Sequence, residues 1–316
     1  MISKEIKILY FGTPKISADV LKMLINAGYS IIGVVAQEDK PNLRGNKIEE
    51  VPTKLVAKEF NIPVYQFKKI KENFDIIDKL EPDLILTMAY GQIVSHEILE
   101  IPIFGCLNLH GSILPKYRGA APIQYSLLNG DCETGVSLMK MVDKMDAGEV
   151  FNIKKIKIEN EDNYDSLCGK ISKTAFLCFD ECIEKYLEGA LEGVPQDENE
   201  VTFTGKIKPE DEVINFNDKA FNINNKIRAL SSKPGAYFVK NGIKYKIFKA
   251  SVNENYKGEA GKILKYNKKE FIVATCDFSI SIEIILKPGK KTLDFKSFYN
   301  GNQNLFKEND YINDRN

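Results

Sequence analysis

Residues 6–14 read IKILYFGTP, and this stretch decides the fold. Its apolar part, 6–11, predicts a buried strand, and the glycine and proline that follow predict the turn that closes it. From 16 to 27 the apolar residues return on one helical face, and Gly28 ends that predicted helix. A second apolar strand is predicted at 31–36. A strand, a helix and a strand in this order predict a parallel pair joined by a crossover helix.

The same alternation continues through the first half of the chain. Apolar runs at 84–88, 106–110 and 136–141 predict further buried strands, and a helical pattern extends from the N-cap Asp162 to Leu187. Strands rich in Ile, Val and Leu that alternate with helices are typical of a sheet covered on both faces. The sequence therefore predicts an α/β fold with a doubly wound, mostly parallel, Rossmann-like sheet. Ligands of such sheets bind beyond the carboxyl ends of the strands.

The pattern changes in the second half of the chain. Residues 189–207 are polar and contain glycine and proline, which is typical of a linker. After it we expect one helix, and Asn241-Gly242 predicts a two-residue hairpin turn between two short strands. The helix is predicted at 220–230 and the short strands near 236–240, 243–250, 260–265, 270–275 and 279–286. We therefore predict a first domain at 1–188, a linker at 189–207 and a small C-terminal β-barrel, OB-like, at 208–316.

The composition is that of an ordinary globular protein, 43% hydrophobic and 28% charged. No stretch approaches the roughly 18–20 apolar residues that a membrane helix needs, and no signal-like block opens the chain, so we expect a cytoplasmic protein. The six cysteines include no C-x-x-C pair and predict no disulfide framework. Cys178 and Cys182 lie one helical turn apart, but no histidine is near them in sequence. Reduced, half-buried thiols are the better interpretation, and we expect no metal.

Charge is unevenly distributed although the net charge is zero. Residues 206–316 contain 21 Lys and Arg against 13 Asp and Glu, which gives +8. The remainder contains 44 − 21 = 23 bases and 44 − 13 = 31 acids, which gives −8. A basic half joined to an acidic half indicates a polyanionic partner, or simply a lysine-rich surface.

Imidazole chemistry has two candidates, because the chain has two histidines. His96 follows Ser95 at a polar helix start and is interpreted as a surface residue. His110 ends a buried strand, and strand alternation places Asn108 on the same face. An amide and an imidazole directed past a strand end could stabilise an oxyanion, at about 3 to 4 kcal/mol per donor. The alternative is a polar pair satisfied by neighbouring backbone.

An acidic segment, DKMDAGE at 143–149, directly follows the predicted strand 136–141. A carboxylate beside His110 would favour the imidazolium, fix its orientation and assist proton transfer. Either Asp143 or Asp146 could take this role by spacing alone, and an ordinary acidic turn is the alternative. No G-x-G-x-x-G, Walker-type loop or G-x-S-x-G is present in the sequence.

Five blocks of this sequence together resemble the folate-dependent formyltransferases, and within them the methionyl-tRNA formyltransferases. The blocks are FGTP at 11–14, MAYG at 88–91, NLHGSILPKYRGAAPI at 108–123, ETGV at 133–136 and DAG at 146–148. The resemblance implies a formyl donor, 10-formyltetrahydrofolate, and the catalytic residues Asn108, His110 and Asp146. It implies folate contacts by Met88, Ala89, Tyr90, Gly91, Ser112, Ile113, Leu114, Pro115 and Asp143.

The resemblance also implies initiator methionyl-tRNA as the formyl acceptor. We infer no obligate protein partner. A loop at 37–47 would enter the tRNA, and the C-terminal domain would bind it. The sequence departs from the family pattern at Glu38 and Asn46, and the usual tryptophans near 231–237 are missing, with Tyr237 as a substitute in packing. The predicted tRNA contacts are Lys40, Arg44, Lys47, Lys206 and Lys208.

Three other functions compete with this interpretation. A formyltransferase that acts on a nucleotide-linked amino sugar would share the folate site. A folate-dependent hydrolase would pass the formyl group to water and would need no basic second domain. A nucleic-acid-binding protein without activity would leave Asn108, His110 and Asp146 unexplained.

Overall fold

The computed structural model describes residues 2–41 and 48–313. The chain divides into two compact units, and neither is continuous in sequence. Unit 1 comprises Met1–Pro122, Glu133–Lys157 and Cys168–Gly205, and unit 2 comprises Ile123–Cys132, Ile158–Leu167 and Lys206–Asn316. The limits 1–188, 189–207 and 208–316 therefore stay a prediction.

The strands and helices of the described residues are numbered in chain order. The strands are β1 (Ile8–Gly12), β2 (Ile31–Ala36), β3 (Lys40–Pro41), β4 (Ile48–Glu49), β5 (Val64–Gln66), β6 (Leu84–Met88), β7 (Cys106–His110), β8 (Arg118–Gly119), β9 (Glu133–Lys140), β10 (Val150–Lys157), β11 (Phe203–Thr204), β12 (Ala236–Lys240), β13 (Ile243–Asn253), β14 (Ile263–Tyr266), β15 (Phe271–Ala274), β16 (Ser279–Leu286) and β17 (Leu293–Asp294). The α-helices are α1 (Lys15–Asn26), α2 (Pro52–Glu59), α3 (Phe74–Asp78), α4 (His96–Leu99), α5 (Pro122–Leu128), α6 (Tyr164–Asp180), α7 (Ile183–Leu187), α8 (Ala220–Leu230) and α9 (Phe295–Asn300). Short 3-10 helices lie at Ile2–Lys4, Ile70–Glu72, Glu198–Glu200 and Pro209–Glu212.

Unit 1 is built on a seven-stranded sheet in the order β10-β9-β7-β6-β1-β2-β5. Strands β7, β6, β1, β2 and β5 are parallel, and β9 and β10 add antiparallel pairs at one side. Every residue of β1 and β6 is buried, as expected for strands covered on both faces. The predicted mostly parallel, Rossmann-like sheet is confirmed. The carboxyl ends of β1, β6 and β7 meet at one edge.

Unit 2 is built on an antiparallel sheet in the order β12-β13-β16-β15-β14, with β17 paired to β16. The sheet curls as a half-barrel around an aromatic core in which Phe238, Tyr245 and Phe306 contact one another. Asn241 and Gly242 both have positive φ, 52° and 71°, as a two-residue type I′ hairpin requires. The predicted small β domain is confirmed, and its oligonucleotide-binding topology stays a prediction.

Some elements differ from the predictions. The helix predicted from Asp162 to Leu187 is two helices, α6 and α7. Strand β10 was not predicted, because its sequence, VFNIKKIK, is rich in lysine. Edge strands tolerate such residues, since one side of the strand faces solvent.

No helix in the described part of the chain is both long and apolar enough to span a bilayer.

In the part of the chain that the structure describes, none of the cysteines forms a disulfide. Cys178 and Cys182 are fully buried rather than half-buried, and burial raises their pKa to about 12 and about 11. Within residues 2–41 and 48–313, no group of three or more His, Cys, Asp or Glu side chains is placed to hold a metal ion.

Candidate active site

His110 is the last residue of β7, and its side chain is only 6% exposed. Its Nε2 atom lies 2.9 Å from the carbonyl oxygen of Tyr117. A carbonyl can only accept, so Nε2 carries a proton and donates it. The other ring nitrogen, Nδ1, lies 3.7 Å from Oδ2 of Asp146. The structure therefore fixes which side of the imidazole faces the carboxylate.

Asp146 lies in the loop between β9 and β10. Its φ of 51° is in the left-handed region, which is unusual for a residue other than glycine. Its Oδ2 atom accepts a hydrogen bond of 2.8 Å from the backbone N–H of Gly119, and its side chain is 15% exposed. The structure thus brings Asp146 to His110. It does not bring Asp143 there, since that side chain is 70% exposed and lies 3.5 Å from His96.

Asn108 is half-buried on β7, between Thr87 of β6 and Met139 of β9. Two residues separate positions on the same face of a strand, so Asn108 and His110 project toward one side of the sheet. The amide of Asn108 and the imidazole of His110 are therefore neighbours at the carboxyl end of β7.

The loop 88–91 follows the carboxyl end of β6, where Met88 is buried. Ala89 and Gly91 are exposed and have positive φ, 49° and 85°. The carbonyl oxygen of Tyr90 accepts from Thr13 Oγ1 at 3.1 Å and from Gln37 Nε2 at 2.9 Å. The Tyr90 hydroxyl is buried, has no hydrogen-bond partner among the described residues, and has a pKa raised by burial. These contacts hold the loop at the edge where His110 lies.

Hydrogen bonds of the Ser137 hydroxyl, on β9, hold the turn 112–115. Ser137 Oγ donates to the carbonyl oxygen of Ser112 at 2.8 Å and accepts from the N–H of Leu114 at 3.0 Å. Ser112 Oγ donates to the carbonyl oxygen of Lys116 at 2.6 Å. Ser112 and Leu114 are buried, whereas Ile113 and Pro115 are half-buried. Only the latter two side chains are partly open to a ligand.

Residues 194–204, called here the return segment, fold back onto this site and were predicted only as linker. Val194 forms an antiparallel bridge with Val150, and β11 pairs in parallel with β8. Gln196 Nε2 donates to the carbonyl oxygens of Asp146, at 2.9 Å, and Gly148, at 2.7 Å. The sequence offered no signal for these contacts, since a polar stretch with glycine and proline is equally typical of a linker.

Arg118 has no exposed side-chain surface, and the return segment supplies its partners. Its Nε atom donates to Gln196 Oε1 at 3.0 Å, and Nη2 donates to Glu198 Oε1 at 2.8 Å. Hydrogen bonds from Arg118, and then from Lys144, lower the pKa of Glu198 to about 2. A buried guanidinium needs such partners, because an unpaired charge is costly in the interior.

A cavity of about 660 Å³ lies beside the start of β7 in unit 1. Its lining includes His96, Cys106 and the stretch 141–143. Of the residues that the family resemblance implies as folate contacts, only Asp143 contributes to this lining.

The predicted tRNA contacts are placed only in part. Lys40 is exposed on β3, and Lys206 and Lys208 are exposed after β11. Lys208 Nζ lies 3.8 Å from Glu210, a weak surface pair. Arg44 and Lys47 lie outside the described residues.

Curated relatives resemble this chain over nearly its full length. The methionyl-tRNA formyltransferase of Mesoplasma florum is 39% identical, over 93% of this chain and 95% of that protein. The methionyl-tRNA formyltransferase of Lactobacillus acidophilus is also 39% identical, over 98% and 99%.

Solved structures share the fold at lower identity. HypX from Aquifex aeolicus, in complex with tetrahydrofolic acid, has a TM-score of 0.67 at 18% identity, and the match covers 96% of this chain and 48% of HypX. This chain therefore spans about half the length of HypX. An N-formyltransferase from Helicobacter canadensis, in complex with folinic acid and dTDP-3-aminofucose, has a TM-score of 0.66 at 20% identity, over 88% of this chain and 98% of that one.

Family matches cover most of the chain. The family described as formyl transferase matches residues 4–179, and its C-terminal domain matches residues 206–303. With a histidine and an aspartate at the predicted edge of a Rossmann-like sheet and relatives at 39% identity, the chain belongs to the formyl transferase family.

Proposed function

We propose that this enzyme transfers the formyl group of 10-formyltetrahydrofolate to the α-amino group of methionine on initiator methionyl-tRNA. The product, N-formylmethionyl-tRNA, serves translation initiation. The observation that carries the proposal is the 3.7 Å approach of Asp146 Oδ2 to His110 Nδ1, beside Asn108, at the carboxyl end of β7. The relatives named above, similar over more than nine-tenths of the chain, support the choice of acceptor.

The proposed reaction is direct acyl transfer without a covalent enzyme intermediate. The methionine amine attacks the formyl carbon, a new C–N bond forms, and the bond from that carbon to N10 of the folate breaks. In the tetrahedral intermediate the formyl oxygen is negative. The amide of Asn108 would donate to it, which contributes about 3 to 4 kcal/mol, and His110 in its protonated form would stabilise it by its positive charge.

One proton must move during this reaction, from the attacking amine to the departing N10. Asp146 assists by compensating the charge of a protonated His110 and by holding a water that relays the proton. The low exposure of both side chains strengthens their interaction, because solvent screens it less.

The folate is proposed to lie between the loops 88–91 and 142–146, with contacts to the turn 112–115. Both loops have open surface: Ala89 and Gly91 are exposed, as are the apolar side chains of Val142, at 41%, and Met145, at 56%. Ligand sites are lined mainly by apolar side chains with a few polar groups, and these two side chains offer apolar surface to the folate ring.

The tRNA is proposed to contact Lys40, Lys206 and Lys208, and also Arg44 and Lys47. The net charge of +8 over residues 206–316 supports an RNA partner for the C-terminal domain, because phosphate contacts dominate such affinity.

A direct assay separates the proposed acceptor from the amino sugar. The enzyme is incubated with 10-formyltetrahydrofolate and either methionyl-tRNA or dTDP-3-aminofucose, and the formylated product is quantified. We expect formylation of methionyl-tRNA alone. Formylation of the sugar alone would overturn the proposed acceptor, and release of formate without an acceptor would favour a hydrolase.

A further inference from the structure

One side chain of the return segment, Gln196, donates two hydrogen bonds to the backbone of the loop that carries Asp146. Gln196 Nε2 donates to the carbonyl oxygens of Asp146 and Gly148, at 2.9 and 2.7 Å. The amide therefore uses both of its N–H groups on the two sides of Ala147. No neighbouring strand could replace these bonds, because β9 ends at Lys140 and β10 begins at Val150.

The orientation of the Gln196 amide is itself determined. Its oxygen accepts from Nε of the buried Arg118, so its nitrogen must face the loop. Arg118 is in turn anchored by Glu198, whose second oxygen accepts from Nζ of Lys144 at 2.7 Å. The loop is thus tied to the return segment at residues 144, 146 and 148.

Asp146 needs such support because of its backbone. A non-glycine residue at a φ of 51° persists only where the surrounding structure holds it. The backbone sets the direction in which the side chain leaves it, and in this conformation the carboxylate lies 3.7 Å from His110.

We propose that Gln196 is a positioning residue for the reaction: it holds the Asp146 loop so that the carboxylate stays beside His110. The expected effect of Gln196 on the reaction rate rests on the function proposed above, whereas its effect on the position of the loop does not. Reaction rates are sensitive to such placement, since a displacement of about 1 Å can lower a rate about 100-fold.

The test uses two substitutions in the full-length chain. Gln196→Glu keeps the size and the acceptor for Arg118 but removes both N–H donors. Gln196→Met removes the donors without adding a charge that would repel the two carbonyl oxygens. We expect each to lower kcat for formyl transfer between about 10-fold and 100-fold, and to raise KM for 10-formyltetrahydrofolate by a smaller factor, because the loop 142–146 is only one of three segments proposed to contact the folate.

A matched control and a second measurement exclude a purely structural effect. Asn152→Asp likewise removes an amide donor to a backbone carbonyl, that of Cys178 in α6, and should retain kcat. Hydrogen exchange of the Gly119 amide, which donates to Asp146 Oδ2, measures loop position without any substrate. We expect this exchange to accelerate in both Gln196 variants and not in Asn152→Asp.

The positioning role of Gln196 and the proposed function can be refuted separately. Wild-type kcat in either Gln196 variant, or an equal loss in Asn152→Asp, overturns the positioning role. Unchanged Gly119 exchange in both Gln196 variants overturns it independently of activity. An inactive wild-type enzyme with accelerated exchange in the variants would overturn the proposed function and leave the structural coupling standing.

Discussion

The backbone of Tyr117 binds His110 and the backbone of Gly119 binds its partner Asp146. The Tyr117 carbonyl accepts from His110 Nε2, and the Gly119 N–H donates to Asp146 Oδ2. A short backbone stretch therefore sets the distance between the imidazole and the carboxylate. That stretch is fixed by pairing of β8 with β11 and by a 2.8 Å hydrogen bond from the Tyr117 N–H to Thr202 Oγ1. Changes in this stretch should alter the geometry of the site without touching either side chain.

Asp146→Asn should abolish most turnover. The asparagine keeps an oxygen that can accept from Gly119 but lacks the negative charge opposite His110. We expect kcat to fall about 10²- to 10⁴-fold, the usual range for loss of acid–base assistance. Folate affinity should stay within a few-fold of wild type. Single-turnover formyl transfer measures the rate, and titration with tetrahydrofolate measures the affinity.

Asp143→Asn is the companion substitution, because the spacing in the sequence allowed either Asp143 or Asp146 to be the carboxylate beside His110. Asp143 is exposed and directed toward His96, so its loss should spare kcat and act on KM for the folate. If Asp143→Asn instead lost as much kcat as Asp146→Asn, the assignment of Asp146 would be wrong.

Gly119→Ala should destabilise the fold. Its φ is 115°, and a Cβ there would lie 2.3 Å from the carbonyl oxygen of Thr204, which disrupts the pairing of β8 and β11. We expect a loss of at least about 2 kcal/mol in the free energy of unfolding, measured by urea denaturation. Gly189→Ala is the control, with a φ of 68° and open space around the new Cβ, and should cost about 1 kcal/mol. Equal losses would contradict a steric role for Gly119.

Acid stability should depend on Glu198. Its folded-state pKa, about 2, is below the ordinary value of 4.5, chiefly because Arg118 donates to it. A lowered pKa means that the stabilisation is complete above about pH 4.5 and is lost as the pH falls toward about 2. In Glu198→Gln we expect a lower Tm at neutral pH, with the difference from wild type disappearing near pH 2. A difference that stays constant across this range would refute the ion pair.

The tRNA reaction should depend on salt through individual lysines. Each lysine that contacts a phosphate contributes about one unit to the slope of log(kcat/KM) against log salt. Lys206→Gln with Lys208→Gln should reduce that slope by up to about two and leave KM for the folate unchanged. Lys185→Gln, on α7, is the charge-matched control. A slope unaffected by the double substitution would remove these residues from the proposed contacts.

Strong local patterns made much of the fold predictable. The strands at 31–36, 84–88 and 106–110 coincide with β2, β6 and β7, and the helix at 220–230 coincides with α8. Their limits are set by apolar runs and turn residues that act within a few positions. The hairpin at Asn241-Gly242 was predictable for the same reason, since both residues adopt positive φ easily.

The candidate site was predictable only where it follows a strand end. His110 and the acidic loop could be placed at one edge of the sheet, but the choice between Asp143 and Asp146 depended on family resemblance. The contacts of Gln196 and Glu198 with Arg118 were missed. They join residues far apart in sequence, and a polar segment has no hydrophobic periodicity that would indicate its partners.

The course of the return segment matters for anyone who exchanges the C-terminal half between relatives. A chimera joined at residue 189, where the sequence alone suggests a linker, would import foreign partners for Arg118 and for the backbone at 146–148. A junction after Gly205 would keep the native chain through Gln196, Glu198 and Thr204 and is the better splice site.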